Sequence, residues 1–379
     1  MHNFNKIIGK VMVIMLIFAI MTACSSTSQN SSTSNNGSSN STNSSESATN
    51  NDSAPKEDSK GETTTLSIGT SPNGSAFNTV TTGIASVVSS NSDMNVSVKP
   101  FAGPAAWMPM LNSGEIDMGF ISYGEAVWAL KGENGFQANK NLRTLVRGNY
   151  TTTIGAVVKA DSGIETVADL KGKKVASDYA GNLVVSNIVE SLLVMNGLSW
   201  DDVVKVPVPS AAAGIEALRD GRVDAAFGLG PTTALVVEAD NAVGLKPLDF
   251  IDNLSPDQVN TVSEDVLKEL SSRVAGAELK VLNEGYLKED TIGGQYPLML
   301  AVSAELSEDA AYNMVKALWE HYEELHPIFS WLESWTPELM FDPKPSVPYH
   351  PGVIKFFKEQ GLWNDETEKI QQELMELTK

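Results

Sequence analysis

Leu111-Asn-Ser-Gly114-Glu-Ile116-Asp117-Met-Gly-Phe120 and Leu218-Arg-Asp-Gly221-Arg-Val223-Asp224-Ala-Ala-Phe227 share the pattern Leu-x-x-Gly-x-[Ile/Val]-Asp-x-x-Phe. The second stretch begins 107 residues after the first. The same ungapped offset sets Ile68-Gly69-Thr70 on Val175-Ala176-Ser177, and Gly74 on Gly181. Agreement at separated places under one offset indicates an internal duplication, and a repeat constrains the fold before any single element does.

Each copy alternates strand and helix. In copy one the pattern predicts strands at 65–69, 96–101 and 116–121, and helices at 75–89, 105–113 and 125–131. In copy two it predicts strands at 174–177, 203–208 and 223–228, and helices at 182–195, 211–220 and 232–239. Gly114 and Gly221 suit the position just past a helix, where a left-handed backbone closes it. Strand–helix alternation implies parallel sheets covered by helices. The body therefore reads as an α/β protein of two similar lobes facing an interlobe cleft. Extended crossings at 153–159 and 245–250 form the hinge. Residues 66–155 and 245–379 form lobe one, and 156–244 form lobe two. The tail predicts a helix at 257–271, a strand at 296–303, and amphipathic helices at 309–325, 352–360 and 366–377. It returns to lobe one across the hinge.

The 379 residues are 42% hydrophobic, enough for a substantial core. Lys and Arg total 27 against 47 Asp and Glu, a net charge of -20. Phosphate neutralisation needs clustered cations, so no nucleic-acid partner is expected. One cysteine excludes a disulfide framework and any multi-Cys metal site. That cysteine, Cys24, ends Met21-Thr-Ala-Cys24, after a basic start (Lys6, Lys10) and a short apolar run at 11–21. This reads as a lipoprotein signal peptide at 1–23, with Cys24 as the lipidation site. A Ser/Asn-rich tether at 24–65 follows, with a reach of roughly 35 Å. The layout predicts an extracytoplasmic protein, held at the cell membrane through its N-terminal lipid.

Ligands of open α/β sheets sit at the carboxyl ends of strands, beside helix amino termini that suit an anion. The repeat brings two such loops together. One holds Ser71, Asn73, Gly74, Ser75 and Phe77; the other holds Ser177, Tyr179, Gly181 and Asn182. Gly74 and Gly181 are expected to face a common hollow. Ser75 and Asn182 are equivalent candidate N-caps. Strand ends add Gly228 and Ser210, and Asn149 and Tyr150 precede the crossing. Tyr123 suits a ligand, by stacking or hydrogen bonding, as well as it suits packing on a neighbouring helix. Arg147 is the candidate carboxylate clamp, with a surface ion pair as the alternative.

The sequence resembles the TAXI group of solute receptors that serve tripartite TRAP transporters. The matching segments are Leu66-Ser-Ile-Gly-Thr-Ser-Pro-Asn-Gly-Ser-Ala-Phe77, Gly114-Glu-Ile-Asp-Met-Gly-Phe120, Ala160-Asp-Ser-Gly-Ile-Glu-Thr-Val-Ala-Asp-Leu-Lys-Gly-Lys-Lys-Val175, Tyr312-Asn-Met-Val-Lys-Ala-Leu318 and Pro348-Tyr-His-Pro-Gly-Val-Ile-Lys-Phe-Phe-Lys358. The resemblance covers about residues 66–365. It implies a type II periplasmic-binding fold that closes on a small organic anion, a carboxylate or an amino acid. It also implies delivery to TRAP-type membrane permease subunits driven by an ion gradient, with no cofactor and no ATPase. Two loops depart from the family pattern. Phe77 stands where tyrosine is usual, and Tyr179-Ala-Gly-Asn-Leu183 replaces a Pro-Gly-Ser-Gly-Thr-like run. Fewer backbone donors and more aromatic surface suit a larger or less charged ligand.

A surface enzyme on the same two-lobed fold is the rival from another class, and an ATP-driven importer's receptor the rival among binding proteins. No Gly-x-x-x-x-Gly-Lys-[Ser/Thr] loop occurs, and His321 and His326 are five apart, wrong for His-Glu-x-x-His zinc chemistry. His350, in a Pro-rich run, reads as fixing a turn. No catalytic or metal residue is assigned, and the expected receptor is a monomer. Trp107, Trp128, Trp319, Trp331 and Trp335 read as packing residues.

Overall fold

The computed structural model describes residues 64–379. The expected signal peptide, Cys24 and nearly all of the tether lie outside the described residues. The first half runs β1 (Thr64–Thr70), α1 (Ala76–Ser90), β2 (Met94–Pro100), α2 (Pro104–Asn112), β3 (Met118–Ser122) and α3 (Tyr123–Lys131). Strands β4 (Leu142–Thr153) and β5 (Ala156–Lys159) cross to the second half. There the chain forms β6 (Lys174–Ser177), α4 (Leu183–Met195), β7 (Val204–Pro207), α5 (Ala211–Arg219), β8 (Ala225–Ala226), α6 (Ala234–Val243) and β9 (Leu245–Leu248). The tail carries α7 (Glu264–Arg273), β10 (Glu278–Leu282), β11 (Thr291–Ser303), α8 (Glu308–Glu320), α9 (Pro337–Met340), α10 (Pro351–Glu359) and α11 (Asp365–Glu376).

One sheet has the order β10-β11-β3-β1-β2, with β4 also on β11; the other has β7-β6-β8-β5-β9. In each, the first strand of the copy lies between the second and third, parallel to both. An antiparallel strand then covers the third: β11 on β3, and β5 on β8. Neither covering strand belongs to the duplicated segment, since β5 comes from the crossing and β11 from the tail.

The repeated motif does the same physical work twice. Leu111 and Leu218 are fully buried under their helices. Gly114 and Gly221 adopt φ of 74° and 71°, and their N–H groups donate back to Leu111 and Leu218 carbonyls. The Asp117 carboxylate accepts the Ser67 N–H at 2.7 Å, and the Asp224 carboxylate accepts the equivalent Lys174 N–H at 2.8 Å. Each Asp thus ties the start of its copy's third strand to the first.

The chain differs from expectation in places. Strand β9 pairs with β5, so the second half extends beyond residue 244 and the return crossing falls after Leu248. Helix α7 packs on α4, with Arg273 paired to Glu190 at 3.0 Å, so part of the tail lies on the second half. The helix expected at 257–271 splits into a 3-10 turn, Pro256–Thr261, and α7, because Val262 and Ser263 are extended. Strand β11 starts earlier than expected, and β10 was not expected at all. The first crossing turns at Gly155, at φ 85°, where a Cβ would lie 2.6 Å from the Phe250 ring.

Candidate functional site

Six helices begin around one cavity. Ser75, Ala76 and Phe77 reach it from α1, Pro104 from α2, Glu125 from α3, Asn182 and Val184 from α4, Ala211 and Ala212 from α5, and Thr233 from α6. Thr151 and Thr152 of β4, Tyr296 of β11, Phe227, Leu229 and Gly230 after β8, and Trp331 from a 3-10 turn complete the wall. The cavity has a volume of about 40 Å³. The halves are thus closed on one another. Helix starts bring positive dipole ends and donor N–H groups to the cavity. Among the described residues that line it there is no Lys, Arg or His; the ionisable side chains are Glu125 and Tyr296.

Glu125 bridges the halves. Its Oε2 accepts the Ser122 hydroxyl at 2.8 Å, and its Oε1 accepts the Val184 N–H of α4 at 3.1 Å. The side chain of one half therefore caps a helix of the other. Burial pushes its carboxyl up to about 7, against the opposing pull of the Ser122 and Val184 bonds. Burial likewise raises the Tyr296 phenol, and the neighbouring Glu125 adds to it. A second cross-cleft bond runs from the Ala105 N–H to the Gly181 carbonyl at 3.2 Å.

Of the residues picked out from sequence, Ser71, Ser75, Phe77 and Asn182 line the cavity. Ser75 caps α1: its hydroxyl accepts the Asn78 N–H and donates to the Pro72 carbonyl. Asn182 starts α4 without capping it, and its Oδ1 accepts the Ala211 N–H at 3.2 Å. Phe77 stands between Phe120 and Trp331, with ring centroids 5.5 and 5.6 Å away. Residues of both loops line the one cavity, but Gly74 and Gly181 do not face a common hollow as expected: Asn73 and Gly74 are exposed, and Gly181 packs on Ala102 and Gly103.

Other expected residues lie outside the lining. Tyr179 is fully buried, and its hydroxyl accepts the Phe227 N–H at 2.8 Å. Tyr123 packs on the tail: its hydroxyl donates to Asp342 and accepts the Ser346 N–H. Arg147 pairs with the same Asp342 at 3.5 Å, its guanidinium 5.8 Å from the Tyr123 ring. The Gly228 carbonyl holds the hinge, accepting the Ile154 N–H and the Thr153 hydroxyl. Ser210 caps α5, and Ser177 is buried behind the lining with an unpartnered hydroxyl. Tyr150 lines a neighbouring pocket with Lys280 and Glu284, which shares Thr152 and Trp331 with the cavity. The Asn149 side chain lies outside the described residues.

Sequence reasoning missed Glu125, Thr151, Thr152, Thr233 and Tyr296, and took Trp331 for packing alone. Ser122-x-x-Glu125 has the spacing of a capping box, a signal for a helix start but not for a bond across a cleft. Trp335 does pack: it is fully buried and its indole N–H donates to the Arg147 carbonyl. His350 caps α10, its Nδ1 accepting the Gly352 N–H.

Two duplicated α/β halves, interlaced by crossing strands and closed over a cavity ringed by helix starts, define a two-lobed fold of the type II periplasmic-binding class. Residues 68–361 match the NMT1-like family, and the chain belongs to that family. Similar solved structures include the periplasmic aliphatic sulphonate binding protein SsuA from Escherichia coli, 16% identical over 83% of this chain and 91% of that one, with a TM-score of 0.39. Another is the alkanesulfonate-binding SsuA from Xanthomonas axonopodis pv. citri bound to MOPS, at 16%, 80%, 95% and 0.41 in the same order. A third is MatC from Rhodopseudomonas palustris with bound malate, at 10%, 83%, 99% and 0.49.

Proposed function

We propose that the protein is an extracytoplasmic, lipid-anchored receptor that captures a small organic anion, a carboxylate or an amino acid, and delivers it to TRAP-type membrane subunits. The observation that carries the reading is the cavity, walled by helix starts from both halves and bridged by Glu125. A solute held by both lobes is bound more tightly when they are closed, so binding shifts the population toward closure. With no basic side chain among the described lining residues, the anion of this reading is held by N–H groups and hydroxyls at the helix starts. Ser71 and Asn182 are the polar contacts proposed from the two repeat loops, with Phe77 and Trp331 as apolar walls. Native mass spectrometry of freshly purified protein, paired with X-ray scattering before and after adding acetate, succinate and L-aspartate, tests this. The reading expects a bound small molecule, or compaction with a probe. It fails if the protein carries no solute and keeps one scattering curve with all three.

A further inference from the structure

We propose that the hydroxyls of Thr152 and Thr233, at the amino end of α6, form the subsite for the carboxylate of the captured solute; this rests on the receptor reading above. Thr233 occupies the N-cap position of α6, where threonine ordinarily turns its hydroxyl back onto the helix. Here the hydroxyl makes no capping bond; the Thr233 carbonyl instead accepts the N–H groups of Val236 and Val237. The side chain is fully buried, lines the cavity, and leaves its Oγ1 without a partner. Thr152 repeats the situation on β4: buried, lining the cavity where it adjoins the Tyr150 pocket, its Oγ1 also unpartnered. Burying a hydroxyl unused is unfavourable, so two in the lining of one cavity mark where an outside group belongs.

The two are neighbours through a single turn. The Thr233 N–H donates to the Gly230 carbonyl at 3.0 Å, and a Cβ on Gly230 would lie 3.3 Å from the Thr152 hydroxyl. The absent side chain leaves Thr152 room, and any larger residue would crowd the hydroxyl. Two hydroxyl donors beside a helix start suit an acceptor bearing negative charge. The cavity's own carboxyl, Glu125, is already engaged by Ser122 and Val184 at α3 and α4. Acetate, succinate and L-aspartate offer the required group without presupposing the natural solute.

The test separates the subsite from the receptor reading. Without solute, Thr233→Val and Thr152→Val should each melt at or above the wild-type temperature, because each removes an unused buried hydroxyl and keeps the shape. A fall of about 2 °C or more, the size of a lost helix cap in a body this large, overturns the assignment. With the three probes, each valine variant should bind about tenfold or more weakly, and Thr233→Ser should restore binding. Wild-type affinity in both valine variants overturns the subsite even where the receptor reading stands. If no probe binds wild type, the receptor reading fails for these carboxylates, and the melting comparison alone decides the subsite.

Discussion

Glu125 concentrates the electrostatics of the cavity in one side chain. An ordinary glutamate ionises near 4.5, and this one near 7, because burial disfavours the charge. The folded protein therefore keeps a proton that the unfolded chain releases. Its contribution to stability is complete below pH 4.5 and is lost as pH rises through about 7, an effect of roughly 3 kcal/mol. Glu125→Gln stays neutral, and its one amide oxygen can accept the Val184 N–H while its NH2 faces the Ser122 hydroxyl oxygen as a donor. Wild-type melting temperature should fall between pH 5 and 8 more steeply than that of Glu125→Gln in parallel calorimetric scans. Parallel slopes would assign the titration elsewhere. Arg147 makes a contrasting case. Its charge faces Asp342 and not the cavity, so Arg147→Ala should leave probe affinity within about twofold. A tenfold loss by isothermal titration would restore it as a clamp. Both residues show the reach of sequence at this scale. Types and spacing flagged Ser75 and Asn182 because N-caps are local, whereas Glu125, Thr152 and Thr233 acquire their roles from a partner, or a missing partner, distant in the chain.

Elements were legible where their signals were local. The Leu, Gly and Asp of the repeat each act within a strand–helix–strand unit, and the observed helices α1 and α4, and α2 and α5, begin at positions separated by the repeat offset. Strands β10 and β11 were harder because their reason lies elsewhere. Gly293 and Gly294 weaken any strand signal in β11. Yet a Cβ at Gly293 would lie 2.5 Å from the Thr153 carbonyl, so close packing against the hinge requires the glycine that hides the strand. The repeat also makes a quantitative expectation. Asp117 accepts both the N–H and the hydroxyl of Ser67, whereas the Asp224 bond to Lys174 is exposed. Asp117→Ala should cost about 2 kcal/mol and Asp224→Ala about 1 kcal/mol in denaturant titration. Equal losses would mean that the second bond to Ser67 adds nothing.

Closure of the whole molecule rests on how closely two backbones can approach. The Ala105 N–H meets the Gly181 carbonyl across the cleft, and a Cβ on Gly181 would lie 2.5 Å from the Ala102 carbonyl oxygen. Both sides of that contact are main chain, so no side chain can swing away to relieve it. The duplication announced that the 71–77 and 177–182 loops would confront one another, whereas the close contact joins Gly181 to the 102–105 loop. It said nothing of their separation, because that distance depends on the hinge at Ile154 and Gly155 and on tail strands outside the repeat. Gly181 is not in the left-handed region, so alanine there adds no backbone strain within its own half. Gly181→Ala should therefore fold normally while holding the halves apart. Apart, they lose the Val184 bond to Glu125, and a solute can be gripped from one side only. Melting temperature should stay within about 3 °C of wild type, while X-ray scattering gives a larger radius of gyration and probe affinity drops about tenfold or more. A scattering curve identical to wild type would mean that the 102–105 loop yields locally, and that the contact does not set the closed state.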